Sequence, residues 1–101
     1  MPTAKKSVAY RRRGAVGALT LHGAIDMFEA AAFHETARKA LEDTQAAAIR
    51  VEMSDVERLD ISSFQILSAL RRDAAAAGRT VEITGATDRV LMDAKTAGLS
   101  L

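Results

Sequence analysis

Ser62 and Ser63 stand side by side, two and three positions after Asp60, at the head of "RLDISSFQILSALRRD" (residues 58 to 73), a stretch that settles into a helical rhythm. A hydroxyl in such a place can do two kinds of chemistry. It can accept a hydrogen bond from the unpaired N–H groups of a helix start. Because those N–H groups and the helix dipole favour negative charge, it can also carry a phosphate. Phosphorylation would add about −1.5 to −2 charges at pH 7, next to the Asp60 carboxylate, and would change the surface without touching the core. Two caps compete for this helix. Asp60 as cap puts Ile61, Ser62 and Ser63 in the first turn; Ser62 as cap, with Gln65 three residues on, makes a serine–glutamine capping box.

Other constellations are weaker. His22 and His34 are the only histidines, without metal-ligand spacing, and there is no cysteine, so neither a metal centre nor thiol chemistry nor a disulfide framework is expected. Asp26 and Glu29 could serve as a carboxylate pair, but their spacing is that of a helix cap. Ser62, His34 and Asp60 supply the residue types of a hydrolytic triad with nothing to bring them together. "GAVG" (residues 14 to 17) reads as a turn and strand start rather than a phosphate loop. The expectation is a protein that is not an enzyme and has no cofactor.

The elements that must position the serines follow from hydrophobic periodicity. "SVAYRRRGAVGALTLHG" (7 to 23) holds two strand-like stretches joined around Gly14, an antiparallel hairpin. "DMFEAAAFHETARKALED" (26 to 43) changes to helical spacing. Ala30, Phe33, Ala37, Ala40 and Leu41 face inward, while His34, Glu35, Arg38 and Lys39 face water. "AAAIRVEM" (46 to 53) is the best strand, and "SDVERLD" (54 to 60) reads as a loop leading to the serines. Beyond them Leu67, Leu70, Ala74 and Ala77, with Ile66 alongside, form the apolar stripe of a helix that Gly78 ends. "RTVEIT" (79 to 84) alternates as a strand. "TDRVLMDAKTAGLS" (87 to 100) reads as a last helix, with Val90, Leu91 and Ala94 inward and a stop near Gly98.

Strands alternating with helices predict an α/β fold. It is a small mixed four-stranded sheet, an antiparallel edge strand plus parallel strands, packed with about three to four helices. In such a sheet the carboxyl ends of the parallel strands and the helix starts after them form the usual functional edge. The serines fall on it.

At 101 residues the chain makes a single domain, 1 to 101, with an alanine-rich and therefore thin core. No stretch approaches the roughly 18 apolar residues of a membrane helix, and the start "MPTAKKSVAYRRRG" lacks the apolar core of a signal peptide. A cytoplasmic protein without membrane insertion is expected. Lys5, Lys6, Arg11, Arg12 and Arg13 all precede the first acid, Asp26, leaving nine basic against thirteen acidic side chains in the rest. With one aromatic among them, Tyr10, this basic start reads as a charged edge strand rather than a nucleic-acid site.

The stretch "VEMSDVERLDISSFQILSALRRDAAAAGRTVEITG" resembles the heart of a STAS domain, the fold of bacterial anti-sigma-factor antagonists and of the cytoplasmic parts of sulfate transporters. The family's strand, loop and Asp-Ser/Thr-Ser/Ala-Gly segment at a helix start is followed by "LxLLxxxxRxxxxxG" and another strand. "GAIDMFEAAAFHETARKAL" resembles the family's entry into its first helix, so the likeness spans roughly residues 8 to 99.

The resemblance implies partner switching. Such antagonists bind an anti-sigma factor or a histidine-kinase-like serine kinase when the hydroxyl after the motif aspartate is free, and let go when it is phosphorylated. On this sequence Asp60 falls on the aspartate and Ile61 on the usual acceptor. Ser62 falls on the next small residue and Ser63 on the glycine. Ile61 cannot take a phosphate, so Ser62 or Ser63 has taken the role, Ser62 being the better candidate as one residue from the family position and at the exposed cap or first turn, or the chain binds without that switch. The latter would suit a constitutive subunit of a transport system, such as one beside the ATPase of a lipid transporter. The expected contact surface is the loop 54 to 60, the start of the following helix at Ser62 to Gln65, and neighbouring residues of the first helix such as Met27 and Phe28, with Asp60, Ile61, Ser62, Ser63 and Gln65 as its motif residues.

Overall fold

The computed structural model describes residues 7–101. Its elements are β1 (Val8–Arg13), β2 (Val16–Ile25), α1 (Met27–Glu42), β3 (Ala48–Leu59), α2 (Ile61–Ala76), β4 (Thr80–Thr84) and α3 (Asp88–Thr96). The strands form one sheet in the order β1-β2-β3-β4, with β1 antiparallel to β2 and the other neighbours parallel. The mixed four-stranded sheet expected from the sequence is present, with three helices. Gly14, at φ 59, makes the β1–β2 turn in the left-handed region that glycine enters without strain.

Alternation along the strands decides which face is buried. Val8, Leu19, Leu21, Ile49, Val51 and Met53 point into one core. They meet Phe33, Ala37 and Ala40 of α1, Phe64, Leu67, Leu70 and Ala74 of α2, and Val90 and Ala94 of α3. The opposite face carries Arg11, Arg13, Ala18, Thr20, Arg50 and Glu52, all exposed or half-buried, with no described helix over it.

Residues 54 to 59, expected in a loop, instead continue β3 to Leu59. The pairing with β2 slips twice, between Thr20 and His22 and between Gly23 and Ala24, and each slip gives β3 one extra residue. Met53, Val56 and Leu59 are therefore buried at a spacing of three rather than two. Sequence periodicity reads that pattern as irregular. Two helix positions also differ: Ala77 and Leu91, expected inward, are exposed, while Phe64 joins the core.

Gly78 ends α2 as expected: at φ 72 it donates to Ala75 O (3.0 Å), and Arg79 N donates to Ala74 O (2.8 Å). The Arg79 guanidinium then reaches back to the end of α1. It donates to the carbonyls of Ala40 (3.2 Å), Asp43 (3.0 Å), Ala46 (3.1 Å) and Leu41. It thus satisfies acceptors that a helix end leaves without intrahelical partners. Arg79→Ala is expected to lower stability by about 2 kcal/mol, the scale of hydrogen bonds to a charged group, measured by urea denaturation. Arg79→Lys, a point charge without the planar fork, should recover only part of it.

Tyr10 shares this corner. Its ring lies across Gly17, where an added Cβ would sit 2.3 Å from the phenol oxygen, and its hydroxyl donates to Asp43 Oδ2 (2.8 Å). Arg12 Nε lies 3.0 Å from the same oxygen. Hydrogen bonding from Tyr10, with help from Arg12, holds the Asp43 carboxyl below its usual value, while burial and then Asp43 push the Tyr10 phenol from 10.0 up to about 12. The folded state therefore holds its phenol proton where the unfolded chain has lost it, so stability falls as pH rises through that window. Tyr10 is the sole tyrosine. Tyrosinate absorbance should titrate near 12 in the native chain and nearer the ordinary value in Asp43→Asn.

Candidate functional site: two helix starts on one sheet edge

β2 and β3 end in register, Ile25 opposite Leu59. Each is followed by an aspartate and then a helix. The same three-residue pattern occurs twice: a buried aliphatic (Ile25, Leu59), a capping aspartate (Asp26, Asp60), and an exposed large apolar residue (Met27, Ile61). Asp26 Oδ1 accepts from Phe28 N (2.9 Å) and Glu29 N (3.2 Å). Asp60 Oδ1 accepts from Ser63 N (3.2 Å). The two starts are tied together by Asp60 N, which donates to Ile25 O (3.1 Å).

Of the two caps possible in the sequence, Asp60 is the one used. The adjacent serines then have different environments. Ser62 is half-buried, and its Oγ donates to Asp60 Oδ1 (2.6 Å). Ser63 is fully buried, its Oγ 3.5 Å from Ile25 O and 3.4 Å from Asp60 Oδ1. One serine borders solvent at the cap, and the other is an internal tie between α2 and the end of β2.

The leading residues of the two helices, Met27 and Phe28 in α1 and Ile61 in α2, point away from the core. Met27 is 70% exposed, Phe28 84% and Ile61 66%, three of the five exposed large apolar side chains among the described residues. Ile61 and Phe64 stand between two shallow depressions of about 270 and 250 Å³, with Arg58 and Asp93 beside the first and Gln65 and Arg72 beside the second. Of the residues expected at the site, Met27 and Phe28 lie at the first helix start and Asp60, Ile61, Ser62, Ser63 and Gln65 at the second, Gln65 one turn in, whereas residues 54 to 59 lie in β3. Sequence reasoning missed the flank that α3 supplies through Asp93, Thr96 and Ala97, because only tertiary packing brings α3 beside α2.

Large apolar side chains held in water around two carboxylates suit docking of another protein. Of the triad types in the sequence, the Ser62 hydroxyl donates to Asp60, while His34 lies two turns along α1, in the groove with Leu41, Ile66 and Asp73. His22 Nδ1 is 3.1 Å from Asp55 Oδ2. Among the described residues there is no group of three or more side chains that could hold a metal, and no helix long and apolar enough to cross a membrane.

The fold is shared with solved structures. RsbS of Moorella thermoacetica, in a serine-to-glutamate form, superposes with a TM-score of 0.79 at 18% identity, covering 93% of this chain and 80% of that one. The unphosphorylated anti-sigma factor antagonist SpoIIAA of Bacillus gives 0.74 at 12% identity, covering 91% and 81%. A third similar structure, Mglu, gives 0.70 at 23% identity over 84% of this chain, which spans only 21% of the Mglu chain. Comparison with curated proteins finds no match. The family model described as "Mlab, STAS domain" matches residues 8–100, and the chain belongs to the STAS-domain family.

Proposed function

We propose that this STAS domain is a regulatory protein-binding module of the anti-sigma-factor-antagonist type. It works in the cytoplasm and docks its partner on the edge formed by the starts of α1 and α2. The observation that carries this reading is the exposure of Met27, Phe28 and Ile61 around the two aspartate caps. The partner class is an anti-sigma factor or a kinase-like regulator. The likeness to SpoIIAA, a protein known in unphosphorylated and phosphorylated forms, supports that class and a switch by phosphate.

Ser62 is the residue for that switch. Its hydroxyl borders solvent, whereas the Ser63 hydroxyl is sealed inside. A phosphate on Ser62 removes the proton now shared with Asp60 and sets two anions together beside Ile61. The docking edge then turns from apolar to strongly negative, and the partner leaves.

One observation favours a second reading. Ile61, where the family resemblance puts the acceptor, is an exposed apolar side chain ready for a permanent contact. On that reading the chain is a constitutive subunit of a transport or signalling complex and takes no phosphate. Intact mass after incubation with ATP and the native host's lysate separates the two. The switch predicts one added phosphate that is lost in Ser62→Ala. Stable partner binding with no phosphate supports the constitutive subunit, and a phosphate that persists in Ser62→Ala contradicts the assignment of Ser62.

A further inference from the structure

The open face of the sheet, opposite the helices, is built unlike a merely solvated surface. Strand pairing aligns Arg11, Ala18, Arg50 and Glu82 in one row across all four strands, and Arg13 with Val16 and Ala48 in a neighbouring row. Small side chains thus floor a concavity of about 510 Å³, with Arg11 and Arg13 on one wall and Arg50 on the other. Adjacent strands are roughly 4.8 Å apart, so the β1 and β3 backbones flank the floor at about 10 Å, close to the width of one helix with its side chains.

The charges on this face are mismatched within the chain. Among the described residues, neither Arg11 nor Arg13 has an acidic partner. Arg50 has one weak pair, its Nε 3.8 Å from Glu82 Oε2. By contrast Arg12, which alternation turns to the helix side, is paired with Asp43 at 3.0 Å. The face therefore offers guanidinium forks suited to carboxylates on both sides of an apolar floor.

We infer that this face is a second docking surface, and that it takes an amphipathic segment of a partner protein whose small apolar stripe is flanked by Asp or Glu. A second copy of the chain brings three arginines with only Glu52 and Glu82 to answer them, so guanidinium forks stay unmatched. A nucleic acid would set its unbroken row of phosphates against Glu52 and find no aromatic floor for its bases, since Tyr10 lies on the other side of the sheet. An acidic segment places separate carboxylates on Arg11, Arg13 and Arg50 and leaves Glu52, which accepts from Thr20 Oγ1 (3.3 Å), facing solvent. The surface is separate from the α1/α2 edge, so one domain can hold two partners at once.

The probe is a synthetic amphipathic peptide with an Ala/Leu stripe flanked by Glu, titrated into the isotope-labelled full chain and followed by backbone-amide NMR. Shifts confined to β1, β2 and β3 around Arg11, Ala18 and Arg50 are expected, with Met27 and Ile61 unmoved. Affinity should fall at least tenfold in the doubly substituted Arg11→Gln, Arg13→Gln chain, and again in Arg50→Gln. These side chains are exposed, and an unchanged melting curve verifies that the variants fold. No shift on this face, equal binding by a peptide with Lys in place of Glu, or tighter binding of a single-stranded oligonucleotide would each overturn the proposal. Shifts at Met27 and Ile61 alone would also overturn it while supporting the α1/α2 docking edge.

Discussion

A Ser63→Asp chain is expected to lose about 3 kcal/mol or more of stability and to be largely unfolded if the wild type is of ordinary marginal stability, whereas Ser62→Asp folds normally. Ser63 has no solvent exposure, and its hydroxyl faces the Ile25 carbonyl oxygen and the Asp60 carboxylate. A second carboxylate there would be buried against two oxygen acceptors with no donor to offset it. At position 62 the same substitution meets water and the positive end of the α2 dipole, which offsets much of the repulsion from Asp60. Thermal melts of the two variants read the difference directly. Comparable melting temperatures would show that position 63 is not the sealed tie described here. The contrast also sets how acidic variants are interpreted: failure of Ser63→Asp to bind a partner reports unfolding, and failure of Ser62→Asp reports the docking edge.

Phe28→Ala and Ile61→Ala are each expected to weaken partner binding by tenfold to hundredfold while leaving stability within about 0.5 kcal/mol of wild type. At 84% and 66% exposed, these side chains contribute little apolar burial to the fold, so truncating them costs little there. If a partner buries them, each loses about 1.5 to 3 kcal/mol of transfer free energy on truncation. Ile61→Asp should be more damaging, because it sets a charge beside Asp60 in the contact. A partner titration of each variant beside a urea melt separates the two effects. Loss of stability without loss of binding would place these side chains in the fold rather than the contact.

Much of this was legible in the chain because local signals agreed with tertiary structure. Asp26, Asp60 and Thr87 cap the three helices, and Gly14, Gly78 and Gly98 each take the left-handed conformation at a turn or helix end. The second half of β3 was hidden because two bulges turn the buried series Met53, Val56 and Leu59 away from strict alternation. The burial of Ser63 was also hidden. It depends on where the Ile25 carbonyl sits, 38 residues away in the chain, which no local pattern encodes. The open face was missed for a related reason: in "VGALTL" the small residues Val16 and Ala18 merge with core-facing Leu19 and Leu21 into one apolar run, although they belong to opposite faces.

On the proposed function, a protein partner sits on the starts of α1 and α2. A photo-crosslinking amino acid placed at Phe28 in the native host tests it most directly, with a second probe at Lys39, exposed on the same helix three turns away. The account predicts a discrete protein adduct from position 28, lost when Ile61→Asp is added, and none from position 39. No adduct from position 28, or equal adducts from both positions, would contradict it.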